Sequence, residues 1–127
     1  MSRSCAGAQP ARASLWVDVE RRPGSSAALV RAGGELDLST APSLQSALNA
    51  LLDDGYCELG VDLGEVSFCD VAGLNALLRA RAAAVAAGGH LVVHAKCPSL
   101  RIMLRALHLE RAFQPTRRNG EPVTDQA

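Results

Sequence analysis

The chain predicts a single α/β domain with the element order β-β-α-β-α-β-α. Apolar residues recur at every second position in four short stretches and at three- and four-residue steps in three longer ones, which is the signature of strands alternating with helices. Gly and Pro punctuate those stretches, at Pro23-Gly24, Gly33-Gly34, Gly55 and Gly88-Gly89, as turns between elements require. A length of 127 residues with 48% hydrophobic content suits one domain with one core.

The first strand is read from Leu15, Val17 and Val19, which point one way while Trp16, Asp18 and Glu20 point the other, an edge-like alternation. After the turn Arg22-Pro23-Gly24-Ser25-Ser26, residues 27–32 form a second strand close enough to pair with the first as a hairpin, and Gly33-Gly34 ends the simple pattern. From Ala41 the period becomes helical, with a stripe of Leu44, Ala47, Leu48, Leu51 and Leu52 opposite Gln45, Asn49 and Asp53. Ser39 or Thr40 is placed to cap this helix, Pro42 is tolerated in its first turn, and Gly55 is placed to end it. A third strand, 57–63, alternates Leu59, Val61 and Leu63 with Glu58, Gly60 and Asp62, and its helical crossover from the second strand permits parallel pairing. The second helix spans about 71–87, with Leu74, Leu77, Leu78, Ala82 and Val85 as its stripe and Asn75, Arg79 and Ala86 left for solvent or a partner. Leu91-Val92-Val93 begins a short buried strand, and Pro98 opens a last helix with the stripe Leu100, Met103, Leu104 and Leu107. Residues 1–13 and 114–127 lack periodicity and read as a flexible N-terminus and C-terminal tail around a domain of residues 14–113.

Composition narrows the functional classes. Thirteen basic and thirteen acidic residues cancel, so no whole-chain charge points to nucleic acid or to an anionic membrane surface. The predominance of Arg over Lys and of Ala, Leu and Val reflects genome composition. The first dozen residues hold no apolar run suited to export, and no segment approaches the roughly 18 to 20 apolar residues of a membrane span, so the expected setting is the cytoplasm, without membrane insertion. Cys5, Cys57, Cys69 and Cys97 are widely spaced with no C-x-x-C pair, which predicts small core residues in place of a zinc or thioredoxin-type site.

Chemistry-bearing candidates are few. Asp70 stands where the second helix begins, so its carboxylate is expected to accept from free amides there, a cap worth about 0.5 to 2 kcal/mol. Ser67, three residues earlier, reads as a strand-end hydroxyl bonded to backbone. Cys69 is a candidate redox thiol that a helix terminus would favour and adjacent Asp70 would oppose. His90 and His94 share a strand face about 13 Å apart, too far for one metal ion. His108 near the end of the last helix is placed to satisfy terminal carbonyls. No G-x-x-x-x-G-K-[ST], G-x-S-x-G or H-E-x-x-H occurs. The expectation is therefore a binding protein that is not an enzyme, with no cofactor and no metal.

Four blocks in order carry a resemblance: 34–41 (GELDLSTA), 61–63 (VDL), 66–74 (VSFCDVAGL), and Pro98-Ser99-Leu100 with Leu107-His108-Leu109. Together they resemble the STAS domain of bacterial anti-sigma factor antagonists. The resemblance implies a four-stranded mixed sheet with helices packed mainly on one face. It implies a partner, an anti-sigma factor that is a serine kinase of the histidine-kinase-like ATPase type, whose capture frees a sigma factor. Such kinases cancel binding by phosphorylating a serine just before the glycine of the Asp-x-Ser-Gly-Leu turn. Here that position is Ala72, and neighbouring Val71 offers no hydroxyl either, so no phosphorylation is expected at the usual site. A phosphate there would suit a helix N-terminus and so spare folding, while its roughly two negative charges would disrupt docking. The partner-binding set implied is Asp37, Ser39 and Thr40 from the loop before the first helix, Asp70, Val71, Ala72 and Gly73 from the turn, and Asn75 and Arg79 from the second helix. Ser39 and Thr40 read first as caps, and only second as contacts or substitute acceptors. The missing hydroxyl also fits a degenerate STAS scaffold or the cytosolic subunit of a membrane lipid transporter, and the sequence sets no oligomeric state.

Overall fold

A hairpin opens the chain: β1 (Leu15–Arg21) pairs antiparallel with β2 (Ala27–Leu36), Leu15 opposite Gly34 and Arg21 opposite Ala28. The structure, a computed structural model, describes residues 14–114. The expected flexible ends, 1–13 and 114–127, lie outside the described residues except for Gln114. After β2 the chain continues through α1 (Ala41–Asp53), β3 (Glu58–Cys69), α2 (Val71–Ala86), β4 (His90–Ala95) and α3 (Pro98–Ala106). The order in the sheet is β1-β2-β3-β4, with β2, β3 and β4 mutually parallel, so the sheet is mixed and the predicted element order and parallel crossover both hold.

One sheet face is dry and the other open. Ala28, Val30 and Ala32 of β2, Leu59, Val61 and Leu63 of β3, and Leu91 of β4 are buried together with Leu44, Leu48 and Leu51 of α1 and Leu74 and Leu77 of α2. Intervening residues such as Leu29, Arg31, Asp62 and His94 are half-buried or exposed. The helices α1 and α2 pack against each other and cover the dry side, α1 over β1 and β2 and α2 over β3 and β4. Burying these side chains, at roughly 1.5 to 3 kcal/mol for each large one, is what holds the helices on that face.

Several boundaries and faces differ from the sequence expectation, each for a packing reason. β2 does not stop at Ala32 but runs through Gly33 and Gly34 to Leu36. Gly33 is kept because the Trp16 indole lies across it, so close that a Cβ there would sit 2.4 Å from the ring nitrogen. β3 extends six residues beyond Leu63 to Cys69, and its pairing with β2 shifts register between Arg31 and Gly33 and again between Gly34 and Glu35. Ala82 and Val85 do not belong to the buried stripe of α2; they are exposed, and Gly73, Ala76, Ala80 and Ala84 are buried with Leu74 and Leu77 instead. Small residues there let α2 approach α1 and the sheet closely. Leu107 is exposed because α3 has already ended at Ala106. Gly55 follows α1 with φ +95°, a left-handed end of the expected kind. No helix among the described residues is long and apolar enough to cross a membrane.

Candidate functional site

Two adjacent parallel strands, β2 and β3, end side by side, and the loops that leave them form the site. Leu36 and Cys69 are the last paired residues, and the Asp70 amide donates to the Leu36 carbonyl at 3.1 Å. Asp37 and Asp70 therefore follow the carboxyl ends of neighbouring strands, which is where open α/β sheets place their recognition loops. Nothing distant in space has to be gathered: two short connections do the work.

The turn from β3 into α2 is built around Asp70. Its backbone is extended (φ −106°, ψ −169°), and its Oδ1 accepts from the amides of Ala72 at 2.9 Å and Gly73 at 3.3 Å. The expected cap is thus present, and it fixes the orientation of residues 71 to 73. Gly73 is buried; a Cβ on it would lie 2.6 Å from Leu36 Cγ and 2.8 Å from Cys69 Sγ. Its place is beneath the surface, pressing the first turn of α2 onto the strand ends. Val71 is 57% exposed, Ala72 is half-buried, and Asn75 and Arg79 follow Val71 at four-residue intervals, all exposed on one helix face.

The second loop is organised by Asp37. Its Oδ1 accepts from the Ser39 amide and the Ser39 hydroxyl, each at 2.9 Å, and from the Thr40 amide at 3.1 Å. The Ser39 hydroxyl above all holds this carboxyl below the ordinary value of 3.8; desolvation opposes it as the next-largest effect, and the Thr40 and Ser39 amides and the Thr40 hydroxyl add to the lowering. Thr40 stands at the N-cap position of α1 but does not cap it with its side chain. Its hydroxyl donates to the Glu35 carbonyl at 2.7 Å and accepts from the Asp37 amide at 2.9 Å, closing the loop from inside. Thr40 is buried and Ser39 exposed, so of the two hydroxyls only that of Ser39 reaches the surface.

Neighbouring groups complete the description. The Ser99 hydroxyl at the start of α3 accepts from the Cys69 amide at 3.0 Å, tying α3 to the end of β3. Cys69 is buried, and its thiol is pushed up to about 12, first by burial and then by Cys97 and Asp70. A thiol so disfavoured as thiolate is a poor redox sensor, as the adjacent carboxylate led one to expect. Ser67 donates to the Gly34 carbonyl at 3.3 Å, the strand-end bond anticipated for it. Two residues that sequence reasoning passed over stand at this end of the sheet: Leu38, 78% exposed, in the Asp37 loop, and Phe68, 43% exposed, just before the turn. Leu38 alone among polar loop neighbours was the available signal. Phe68 carries no such signal, because the alternation that would place it on a strand is broken after Leu63.

The family model described as Mlab, STAS domain, matches residues 20–115. The chain belongs to the STAS domain family. An anti-sigma factor antagonist from Mycobacterium paratuberculosis, whose crystal structure is known, is 30% identical to this STAS domain and superposes with a TM-score of 0.62, covering 78% of this chain and 82% of that one. SpoIIAA, an anti-sigma factor antagonist solved in its unphosphorylated form, superposes with a TM-score of 0.67 at 16% identity over 82% of this chain and 90% of its own, a likeness of fold. The anti-sigma-B factor antagonist of Staphylococcus aureus is 42% identical over 46 residues, 36% of this chain; the match spans less than half, 43%, of that relative's length.

Proposed function

We propose that this STAS domain is a cytoplasmic anti-sigma factor antagonist that captures an anti-sigma factor of the serine-kinase type and so frees a sigma factor, without being switched off by phosphorylation at position 72. The observation that carries the reading is the paired-loop surface itself. Asp70 fixes a helix start whose position 72 bears a methyl group, beside an ordered Asp37 loop, with Leu38, Phe68 and Val71 exposed around them. Exposed apolar side chains flanked by ordered polar loops are the composition of a protein-recognition patch. The relatives named as anti-sigma factor antagonists support the choice of partner. Asp37, Ser39, Asp70, Val71, Ala72, Asn75 and Arg79 form the contact face, and Thr40 and Gly73 hold it in shape from below. Binding, with no group transfer on this chain, is the whole of the activity.

Absence of a hydroxyl at 72 also favours a second reading, a STAS domain that serves as a scaffold or as a subunit of a membrane lipid transporter. One substitution and one capture experiment separate them. Ala72→Glu places a carboxylate at a helix N-terminus, which the fold accepts. The thermal midpoint should therefore stay unchanged while capture of the cognate anti-sigma factor is lost. Capture that survives the substitution would refute the proposal, and a pull-down that returns transporter subunits in place of a kinase would establish the second reading.

A further inference from the structure

The face of the sheet turned away from the helices carries a charge pattern that the turn and its partner do not use. Residues in cross-strand register form a row over all four strands: Asp18 on β1 faces Arg31 on β2, Arg31 faces Asp62 on β3, and Asp62 faces His94 on β4. All four are exposed or half-buried. The sequence of groups is carboxylate, guanidinium, carboxylate, imidazole. Asp62 is held in place, its Oδ1 accepting from the Gly64 amide at 2.9 Å. The next row along the strands reads Glu20, Leu29, Gly60, Val92.

We propose that this open face binds a second copy of the same chain about a two-fold axis that runs parallel to the strands between β2 and β3. A row of four alternating groups is complementary to its own reversal. With that axis, β2 lies over β3 of the other copy and β1 over β4. Arg31 then meets Asp62 twice at the centre, and Asp18 meets His94 twice at the rim, where a ring N–H donates to a carboxylate whether or not the imidazole is charged. Leu29 meets Gly60, a position with no side chain of its own that Leu29 of the same chain flanks, its Cδ1 3.3 Å from where a Cβ would stand, so the two leucines lie side by side at the centre with the sheets at the usual spacing of about 10 Å. An axis across the strands would instead set Arg31 on Arg31 and Asp62 on Asp62. The charge order therefore selects one of the two possible face-to-face dimers. Sheets stacked this way cross at about 30°, so the outer pairs splay and the two central Arg31–Asp62 pairs carry the specificity. Because the axis is parallel to the strands, both Asp70 turns emerge at the same end of the dimer. That arrangement presents two recognition surfaces to one bivalent partner and raises avidity without any new contact. The proposal rests on the sheet face and is independent of what the turn binds.

Sedimentation equilibrium of the full chain at low ionic strength tests it, with Arg31→Asp and Asp62→Arg as paired variants. Wild type should dimerise between micromolar and millimolar concentration. Each variant alone sets like charge on like, so its association constant should fall at least about tenfold. An equimolar mixture of the two restores both central pairs between unlike chains, and association should return to the wild-type level or beyond. Recovery on mixing cannot arise from contacts within one chain. Circular dichroism verifies that each variant is folded; should Asp62→Arg fail to fold for want of its bond to Gly64, Arg31→Asp and Arg31→Glu alone, which leave that bond intact, carry the test by their loss of association against wild type. A wild type monomeric at millimolar concentration, single variants that dimerise like wild type, or a mixture that does not recover would each overturn the proposal.

Discussion

At Asp37 one carboxylate oxygen gathers donors from two residues, Ser39 and Thr40, and this makes the loop sensitive to acid. The folded group titrates below its ordinary 3.8, chiefly because the Ser39 hydroxyl donates to the charged form. A carboxyl depressed in the folded state contributes order that is fully present above the unfolded value and is lost as pH falls through the folded one. In an NMR titration the Ser39 and Thr40 amide signals should therefore stay in place from neutral pH down to the ordinary carboxylate range and move only below it. Asp37→Asn should abolish that step; movement that begins well above 3.8 would contradict it. The contrast with Asp70 shows what a sequence makes legible at this scale. A cap is a local device, set by a side chain two and three residues from the amides it satisfies, so Asp70 could be placed from its neighbours alone. Thr40 could not. Its hydroxyl has two routes, to helix amides or back to the strand it has just left, and the chain's return toward Glu35 decides for the second.

Helix α2 shows the same limit one level up. Its sequence is apolar at nearly every position, so periodicity alone could not choose between a stripe ending in Ala82 and Val85 and the one that runs through Ala76, Ala80 and Ala84. The choice is made by packing: the small side chains turn inward because α1 and the sheet lie close, and Val85 is left 50% exposed. The far half of strand β3 is hidden from the sequence for a related reason. Two register shifts break its alternation after Leu63, and a period-two pattern cannot be followed across them. The element order, the parallel crossover and the start of α2 were all legible, because they depend on turn residues and on patterns several residues long. Gly73 is where these packing demands meet. A methyl group there would enter Leu36 and Cys69 at 2.6 and 2.8 Å, and overpacking of this kind costs roughly 1 to 3 kcal/mol. Gly73→Ala should accordingly lower the free energy of unfolding by that amount and, by tilting the first turn of α2, weaken capture of the proposed partner as well. Cys69→Ala in the same chain removes one of the three obstructing atoms, the other two belonging to Leu36, and should return part of the stability. Chemical denaturation of the single and double variants checks both signs.

Across the whole molecule, the dry face of the sheet is closed by α1 and α2 over most of its width, but β4 lies at its border and depends on the residues after α3. The chain turns at His108, whose φ of +57° is the left-handed end of α3, and comes back so that the Phe113 carbonyl accepts from the Val93 amide at 3.0 Å while the Phe113 side chain is buried. The Ala112 carbonyl accepts from Arg81 Nε, linking the same segment to α2. One aromatic ring thus seals the border at which β4 would otherwise stand open beside α3, and the two carbonyls on either side of it are satisfied by groups from two different elements. Truncating that ring removes buried area and leaves a cavity among Val93, Ala95, Leu100 and Leu104, at a cost of about 3 to 5 kcal/mol. For a domain of this size such a loss is a large share of the total stability. Phe113→Ala should therefore lower the stability measured by urea denaturation by that amount, and hydrogen exchange should speed up in β4 and α3 before it does in β1 and β2. Equal acceleration throughout the sheet would show that the border is not a separate weak point. A change well under 1 kcal/mol would show that the ring does not close the core. The Asp37 and Asp70 loops lie at the ends of β2 and β3, away from this border, so a folded Phe113→Ala chain should still capture the anti-sigma factor proposed for it; the expected loss is in the supply of folded domain and not in the shape of those loops.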